Sequence, residues 1–148
     1  MAVYTQKSNG QTLDIVTSCV VFPALNVERE EDLPDGFNAV NTLWDTGSEV
    51  TLISPRVVKA LGLQKIGRTQ LDGVGGSDIE DNYGVHIKLP TGTFACFVEA
   101  TETNRTGGHD VVIGMDIIIH CDFCFTNKDQ QSLFSLRFPS SEHIILKD

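Results

Sequence analysis

The stretch Thr42-Leu-Trp-Asp-Thr-Gly-Ser-Glu-Val-Thr-Leu-Ile53 carries the clearest pattern in the chain. An apolar segment ends at Trp44, a polar turn of Asp45-Thr46-Gly47-Ser48 follows, and an apolar segment resumes after Glu49. This order predicts a strand, a tight turn and a second strand. It also places a carboxylate outside the core, at the end of the first strand.

The residues of this turn have separate expected roles. Gly47 allows another backbone to come close and presents an N–H without a side chain in the way. The Thr46 hydroxyl could bond a neighbouring backbone, and the Ser48 hydroxyl could bond the Asp45 carboxylate. Alone, Asp-Thr-Gly is a weak signal for catalysis, because an ordinary Asp-Gly-type turn with a capping hydroxyl contains the same residues.

The rest of the chain predicts an all-β domain. Apolar runs are short, rich in Val, Ile, Phe and Thr, and are separated by Gly, Pro, Asn and Asp. A length of 148 residues fits one domain, residues 1–148. The predicted strands are 13–16, 19–22, 40–44, 50–53, 86–89, 93–100, 111–113, 123–126 and 132–138, the last two forming a hairpin.

Two short helices are also predicted. The first has Ser54 as its cap and Pro55 in its first turn, and Gly62 ends it. The second begins near Asp116 and carries residues 117–119, although an apolar run this short does not separate helix from strand by periodicity.

Charge and hydropathy exclude several classes of partner. A net charge of −9 argues against nucleic acid and against an anionic membrane surface. No stretch approaches the roughly 20 apolar residues that span a bilayer, and the N-terminus lacks the apolar segment of a signal peptide. We therefore expect a cytoplasmic protein in a reducing compartment. The acidic run 28–36 indicates a solvated loop, with a docking site for a basic substrate as the less favoured alternative.

Four cysteines, Cys19, Cys96, Cys121 and Cys124, are expected to be free thiols. The spacing of Cys121 and Cys124 is C-x-x-C, which alone is a weak signal. A buried structural pair is favoured over a metal or redox site, because a zinc site needs further ligands at suitable spacing. The four histidines show no ligand spacing, so we expect no metal and no other cofactor.

Two further segments, Leu71-Asp-Gly-Val-Gly-Gly76 and Val111-Val-Ile-Gly-Met-Asp116, follow the Asp-Thr-Gly turn in the chain. Together, in this order, the three segments resemble the retropepsins, the single-domain aspartic proteases of retroviruses and their cellular and bacterial relatives. The resemblance spans roughly residues 40–119, and we expect a bacterial or phage-type member.

This resemblance implies roles for particular residues. Asp45-Thr46-Gly47, extended by Ser48, matches the catalytic segment, and Gly73-Val74-Gly75-Gly76 matches the tip of the substrate-binding flap. Ile113 and Gly114 match the segment that packs behind the catalytic turn. Retroviral members have an Arg and an Asp that pair near the dimer interface, whereas this chain has Met115 and Glu49 there, which argues against that ion pair.

The implied fold is an all-β retropepsin-like barrel with one or two short helices, active as a two-fold homodimer. The implied activity is hydrolysis of polypeptides by two carboxylates that share one proton. Because the chain holds a single Asp-Thr-Gly, the second Asp45 would come from another copy. The alternative is a non-catalytic module of this fold for dimerisation or peptide binding. Residues 143–146 would form an interface strand or an ordinary tail.

Overall fold

Short extended segments separated by turns form the frame of the computed structural model, which describes residues 2–73 and 75–148. The described strands are β1 Ala2–Lys7, β2 Val16–Pro23, β3 Phe37–Trp44, β4 Leu52–Ile53, β5 Lys65–Gly73, β6 Gly76–Lys88, β7 Phe94–Glu102, β8 Val111–Ile113, β9 Asp122–Thr126 and β10 Leu133–Phe138. The α-helices are α1 Pro55–Leu61 and α2 Met115–Ile118.

The larger sheet closes on itself. Its seven strands run in the order β2-β3-β8-β4-β7-β6-β5, and β2 also pairs with β6. Six strands therefore form a barrel, while β5 pairs with β6 outside the closure. The pairs β3–β8 and β4–β7 are parallel and the other pairs are antiparallel. This architecture confirms the predicted all-β barrel with two short helices.

Branched apolar side chains fill the barrel. In β2 the burial alternates along the strand, as expected where one face meets the core. Each fully buried Val or Ile contributes roughly 1.5–3 kcal/mol by leaving water. The side chains with no exposed surface include Val21, Ile53, Val57, Val85, Ile87, Val111 and Ile113.

A second sheet, in the order β1-β10-β9, packs against the end of β3. Trp44, the last residue of β3, lies with its ring centroid 6.2 Å from that of Phe123 and 5.7 Å from that of Phe134. Its indole N–H donates to the Thr17 hydroxyl at 2.9 Å. These contacts hold the end of β3 firmly, and with it the backbone that leads into Asp45.

The first helix ends as predicted, but its cap differs. Gly62 adopts the left-handed conformation with φ +58°, which ends the helix at low cost. Ser54 makes no side-chain capping bond; its hydroxyl donates a charge-assisted hydrogen bond to the buried Asp110 carboxylate at 2.8 Å. Within the described residues, no helix has the length and apolar content that crossing a bilayer requires.

Several strands differ from the predicted ones. β1 and β5 were not predicted, and only the end of β6 was, because β5 and the first part of β6 are largely exposed and carry no apolar alternation. The predicted strands 13–16 and 19–22 are wrong as a pair: one strand, Val16–Pro23, replaces them, and Leu13 is fully exposed.

The predicted strand 50–53 is shortened to β4, since the Thr51 N–H is taken by the Asp116 carboxylate. The predicted C-terminal hairpin is confirmed by the antiparallel pairing of β9 with β10. The acidic segment 28–36 is mostly exposed and contains one turn of 3-10 helix, Glu30–Asp32, as a solvated loop requires.

Candidate active site

Asp45 directly follows β3 and opens the turn that the sequence singles out. Its backbone N–H donates to the Ile113 carbonyl at 2.9 Å, extending the parallel pairing of β3 with β8 by one bond. The Ser48 N–H donates back to the Asp45 carbonyl at 3.2 Å and closes the turn. Asp45 is half-buried, so its carboxylate is held by the core beneath it and remains accessible.

One oxygen of the Asp45 carboxylate is anchored by the turn itself. Oδ1 accepts the Gly47 N–H at 2.8 Å. The other oxygen, Oδ2, makes no hydrogen bond to any residue that the structure describes. One edge of the carboxylate is therefore positioned, and the other edge is open to a ligand.

The hydroxyls of the turn have other partners than those considered from the sequence. Ser48 Oγ donates to the Val50 carbonyl at 2.6 Å rather than to Asp45, because the chain reverses and brings that carbonyl two residues away into reach. Thr46 is exposed, and its hydroxyl bonds no residue in the described part of the chain. Ser48 therefore stabilises the turn and does not contact the carboxylate.

Gly114 forms the floor on which the turn rests. A Cβ added there would lie 2.6 Å from the Val50 carbonyl carbon and 2.8 Å from the Ser48 carbonyl oxygen, and still closer to the Val50 oxygen. Only glycine permits this approach. The Met115 N–H donates to the Ser48 carbonyl at 2.7 Å, so the start of α2 holds the turn from below.

Asp116 ties the same helix to the strand beyond the turn, a role that the sequence analysis missed. Its carboxylate accepts the Thr51 N–H at 3.0 Å and the Thr51 hydroxyl at 2.8 Å. It also accepts the Ile117 N–H at 3.0 Å. The available signal was an acidic residue in the first turn of a helix, but nothing in the sequence indicated its partner 65 residues away.

A cleft of about 610 Å³ opens over the turn. One side is formed by the turn and the start of β4, the other by the outer part of β5, and Thr103 and Arg105 close one end. A volume of this size suits a ligand with several side chains. The lining residues are Asp45, Gly47, Ser48, Glu49, Val50, Leu52, Thr69, Gln70, Leu71, Asp72, Gly73, Thr103 and Arg105.

The sequence-predicted residues are therefore largely brought together. Asp45, Gly47, Ser48 and Gly73 share the cleft, and Ile113 and Gly114 lie behind the turn. Gly75 and Gly76 have φ of +103° and +120°, and a Cβ on either would meet nothing within 4 Å. Glycine is required there by backbone conformation and not by close packing. Val74, predicted at the tip of the flap, lies outside the described residues.

The charges of the cleft are mostly negative. Asp45, Glu49 and Asp72 line it together with one cation, Arg105. The pKa of Asp72 is lowered by a hydrogen bond from the Ser77 hydroxyl and then by one from the Gln70 amide. Arg105 belongs to no sequence motif, and only the tertiary fold brings it to the cleft.

The C-x-x-C pair lies away from the cleft, at the edge of the core. Cys121 and Cys124 are half-buried free thiols. Burial, and then the nearby Asp122 carboxylate, raise the pKa of Cys121 to about 12. A thiol with so high a pKa is a poor nucleophile, which favours the structural interpretation of this residue.

The C-terminal segment is anchored at its beginning and exposed beyond. The buried Asp122 carboxylate accepts bonds from the Arg137 guanidinium, the Ser140 hydroxyl and the Ser141 N–H. Residues 143–146 form no strand in the single chain, and Ile145 and Leu146 are 75% and 86% exposed. An interface strand there stays a prediction.

Comparison with known proteins bears on the family. The sequence model described as "Aspartyl protease" matches residues 35–117, more than half of the chain. Among solved structures, EIAV protease complexed with the inhibitor HBY-793 superposes with a TM-score of 0.50 at 19% identity, covering 74% of this chain and 90% of that one.

A retropepsin-like aspartic protease from Rickettsia conorii has a TM-score of 0.41 at 9% identity, covering 90% of this chain and 93% of that one. No curated protein matches the sequence. The matched segment contains the Asp45 turn, the β5–β6 hairpin and Gly114, and the barrel is the fold that the sequence resemblance implies. The chain therefore belongs to the aspartyl protease family and has a retropepsin-like fold.

Proposed function

We propose that this protein is an aspartic endopeptidase that works as a homodimer, with the Asp45 of each copy as a catalytic residue. The observation that carries the proposal is the state of the Asp45 carboxylate. One oxygen is fixed by the Gly47 N–H, and the other faces a peptide-sized cleft with no partner among the described residues.

The chemistry requires a second carboxylate opposite the first. At close range two carboxylates cannot both ionise, so the pair holds one proton. The ionised member takes a proton from water as the water oxygen bonds the peptide carbonyl carbon. The protonated member donates its proton to the carbonyl oxygen, which gives a gem-diol. The carboxyl that took the proton from water then donates it to the amide nitrogen, the C–N bond breaks, and a gem-diol hydroxyl returns its proton to the other carboxylate.

The described residues of one chain offer no suitable second acid. The other carboxylates in the cleft are Glu49 and Asp72, and neither bonds Asp45. Oδ1 of Asp72 already accepts hydrogen bonds from the Ser77 hydroxyl and the Gln70 amide within the hairpin. A second copy, related by a two-fold axis close to Asp45, supplies an identical carboxylate in an equivalent setting.

The substrate is an extended polypeptide. The cleft runs between the Asp45 turn and the edge strand β5, and an extended peptide there can bond a strand backbone as an added strand would. The exposed Thr46 hydroxyl and the exposed tail residues 143–146 are candidates for the contacts between the two copies.

The first test is Asp45→Asn, which leaves an isosteric amide that cannot act as the base. We expect hydrolysis of a mixed peptide library, followed by mass spectrometry, to be abolished with the fold intact. Asp35→Asn, at an exposed surface position, is the matched control and should keep full activity. Retained hydrolysis in a clean Asp45→Asn preparation contradicts the assignment. Binding without hydrolysis by the wild type indicates the non-catalytic module instead.

Mixing tests the shared site. If wild-type and Asp45→Asn chains exchange and pair at random, an equal mixture contains about a quarter wild-type dimers. The heterodimer has one carboxylate and one amide and should be nearly inactive, so excess mutant should inhibit a fixed amount of wild type. Unchanged activity despite proven subunit exchange refutes the shared site. Loss of activity in Asp72→Asn would then identify the acid within the same chain.

A further inference from the structure

Arg105 connects the barrel to the hairpin that covers the cleft. It lies between β7 and β8, and its Nη2 donates to the Leu71 carbonyl of β5 at 3.4 Å. The same atom lies 3.4 Å from the Asp78 carboxylate of β6. A single guanidinium therefore contacts both strands of the β5–β6 hairpin, and of its two partners Leu71 lines the cleft.

The backbone that carries Arg105 is firmly held. The Arg105 N–H donates to the Thr103 hydroxyl at 3.1 Å, and the Thr103 N–H donates to the Ile53 carbonyl at 3.1 Å. Thr103 is 2% exposed, and Ile53 belongs to the core. The guanidinium thus projects from a firmly held part of the barrel, next to the end of β4.

The outer part of the hairpin has few other attachments. Deeper in the hairpin, the buried Asn82 donates to Thr69 and to Glu99 and so joins β5, β6 and β7. Beyond that point, in residues 71–73 and 75–78, the side-chain hydrogen bonds and ion pairs of the described chain that reach another element are those of Arg105. The other bonds there, from Ser77 and Gln70 to Asp72, stay within the hairpin.

We infer that Arg105 is a positioning residue that holds the β5–β6 hairpin over the cleft and thereby sets the affinity for the substrate. Its effect on substrate affinity rests on the proposed function, whereas its effect on the position of the hairpin does not. Asp78 is 61% exposed and Arg105 37%, so solvent screens the pair and its loss changes the affinity by about two- to five-fold.

The guanidinium is needed for its reach as well as its charge. Its Nη2 contacts both the Leu71 carbonyl and the Asp78 carboxylate from the end of a side chain longer than that of lysine, whereas a lysine ammonium is a compact charge on a flexible stem. Arg105→Lys should therefore restore only part of what Arg105→Met removes. Because the pair is partly exposed, high salt should weaken the wild-type contact and leave Arg105→Met unaffected.

The test compares Arg105→Met, Arg105→Lys, Asp78→Asn and the double variant Arg105→Met/Asp78→Asn. Arg29→Met is the matched control, because Arg29 also pairs with acids but lies in the exposed acidic loop. Hydrogen exchange of the hairpin amides reports its position without any need for activity. We expect exchange about two- to five-fold faster in Arg105→Met and Asp78→Asn, little further change in the double variant, and no change in Arg29→Met.

Peptide hydrolysis gives the second readout. KM should rise by about two- to five-fold in Arg105→Met and kcat should stay near the wild-type value, because Arg105 does not bond Asp45. Unchanged hairpin exchange in Arg105→Met, or changed exchange with an unchanged KM, overturns the inference. If the wild type hydrolyses nothing while exchange responds as expected, the proposed function fails and the positioning role stands.

Discussion

Replacing Gly114 with alanine should lower the stability of the protein and distort the geometry of the Asp45 turn. The added methyl would sit 2.6 Å from the Val50 carbonyl carbon and 2.8 Å from the Ser48 carbonyl oxygen. Both are backbone atoms, so no side-chain rotation can relieve the clash. The Asp45 turn and the start of α2 must move apart.

The loss in free energy of unfolding follows from the contacts that the added methyl forces apart. Overpacking in a tight site costs about 1–3 kcal/mol. The hydrogen bonds from the Met115 and Asp116 N–H groups to the Ser48 and Glu49 carbonyls would also stretch, at about 1 kcal/mol each. We expect the free energy of unfolding to fall by about 3–5 kcal/mol, which most domains of this size survive.

Urea unfolding measured by fluorescence suits this test, because Trp44 is the single tryptophan, is buried, and directly precedes Asp45. The midpoint should fall by about 1–3 M urea. Gly67→Ala is the matched control: its methyl would meet no backbone atom, only the Glu99 carboxylate at 3.3 Å and the Asn82 amide nitrogen at 4.0 Å, and the midpoint should barely change. A loss below about 1 kcal/mol in Gly114→Ala, similar to that in Gly67→Ala, would refute the reasoning.

Three further predictions concern other parts of the molecule. Gly75→Val forces a branched residue into φ +103°, so kcat/KM should fall by about tenfold with little change in Tm; unaffected turnover would mean that the hairpin tip has no part in catalysis. Thr51→Val removes the hydroxyl that bonds Asp116, and urea unfolding should show a loss of about 1–3 kcal/mol, with a loss under about 0.5 kcal/mol counting against this tie. The bonds from the Ser140 hydroxyl and then the Ser141 N–H hold the pKa of Asp122 well below its usual range. This contribution to stability is therefore complete above the unfolded pKa of about 3.9 and declines as the pH falls below it. Between about pH 5 and pH 2 the unfolding free energy of Asp122→Asn should accordingly depend less on pH than that of the wild type, and equal slopes would contradict this.

Local patterns of the sequence predicted much of the barrel. β3, β7, β8 and β10 were recognised as short runs rich in apolar and β-prone residues between turn residues. Burial alternates in most of β3 and β10, whereas all three residues of β8 are buried. Turn chemistry is local too, so the end of α1 at Gly62 was recognised as well. In β5 only Ile66 and Leu71 are apolar, so the sequence shows no apolar pattern there, although burial alternates between exposed and intermediate along the strand.

Side-chain partners were the least accessible to sequence reasoning. The hydroxyls of Ser48 and Ser54 each had a plausible local role, and each bonds a different group in the structure. The choice depended on which acceptor the fold brought within reach: a carbonyl across the turn for Ser48, and the Asp110 carboxylate, 56 residues away, for Ser54. Composition and spacing hold no information on such distances.

The sequence by itself determined the chemical identity of the candidate site. Asp45 at a strand end, Gly47 two residues after it, and Gly114 after an apolar triplet are all matters of residue type and short spacing, which local backbone geometry translates directly into position. The tertiary structure alone decided which groups surround that site. Barrel closure by β2 and β6 brought the start of α2 beneath the turn, Arg105 against the hairpin and Asp116 against Thr51. Those contacts join residues far apart in the chain, and they form only because burying the barrel's apolar faces stabilises one closed arrangement of strands.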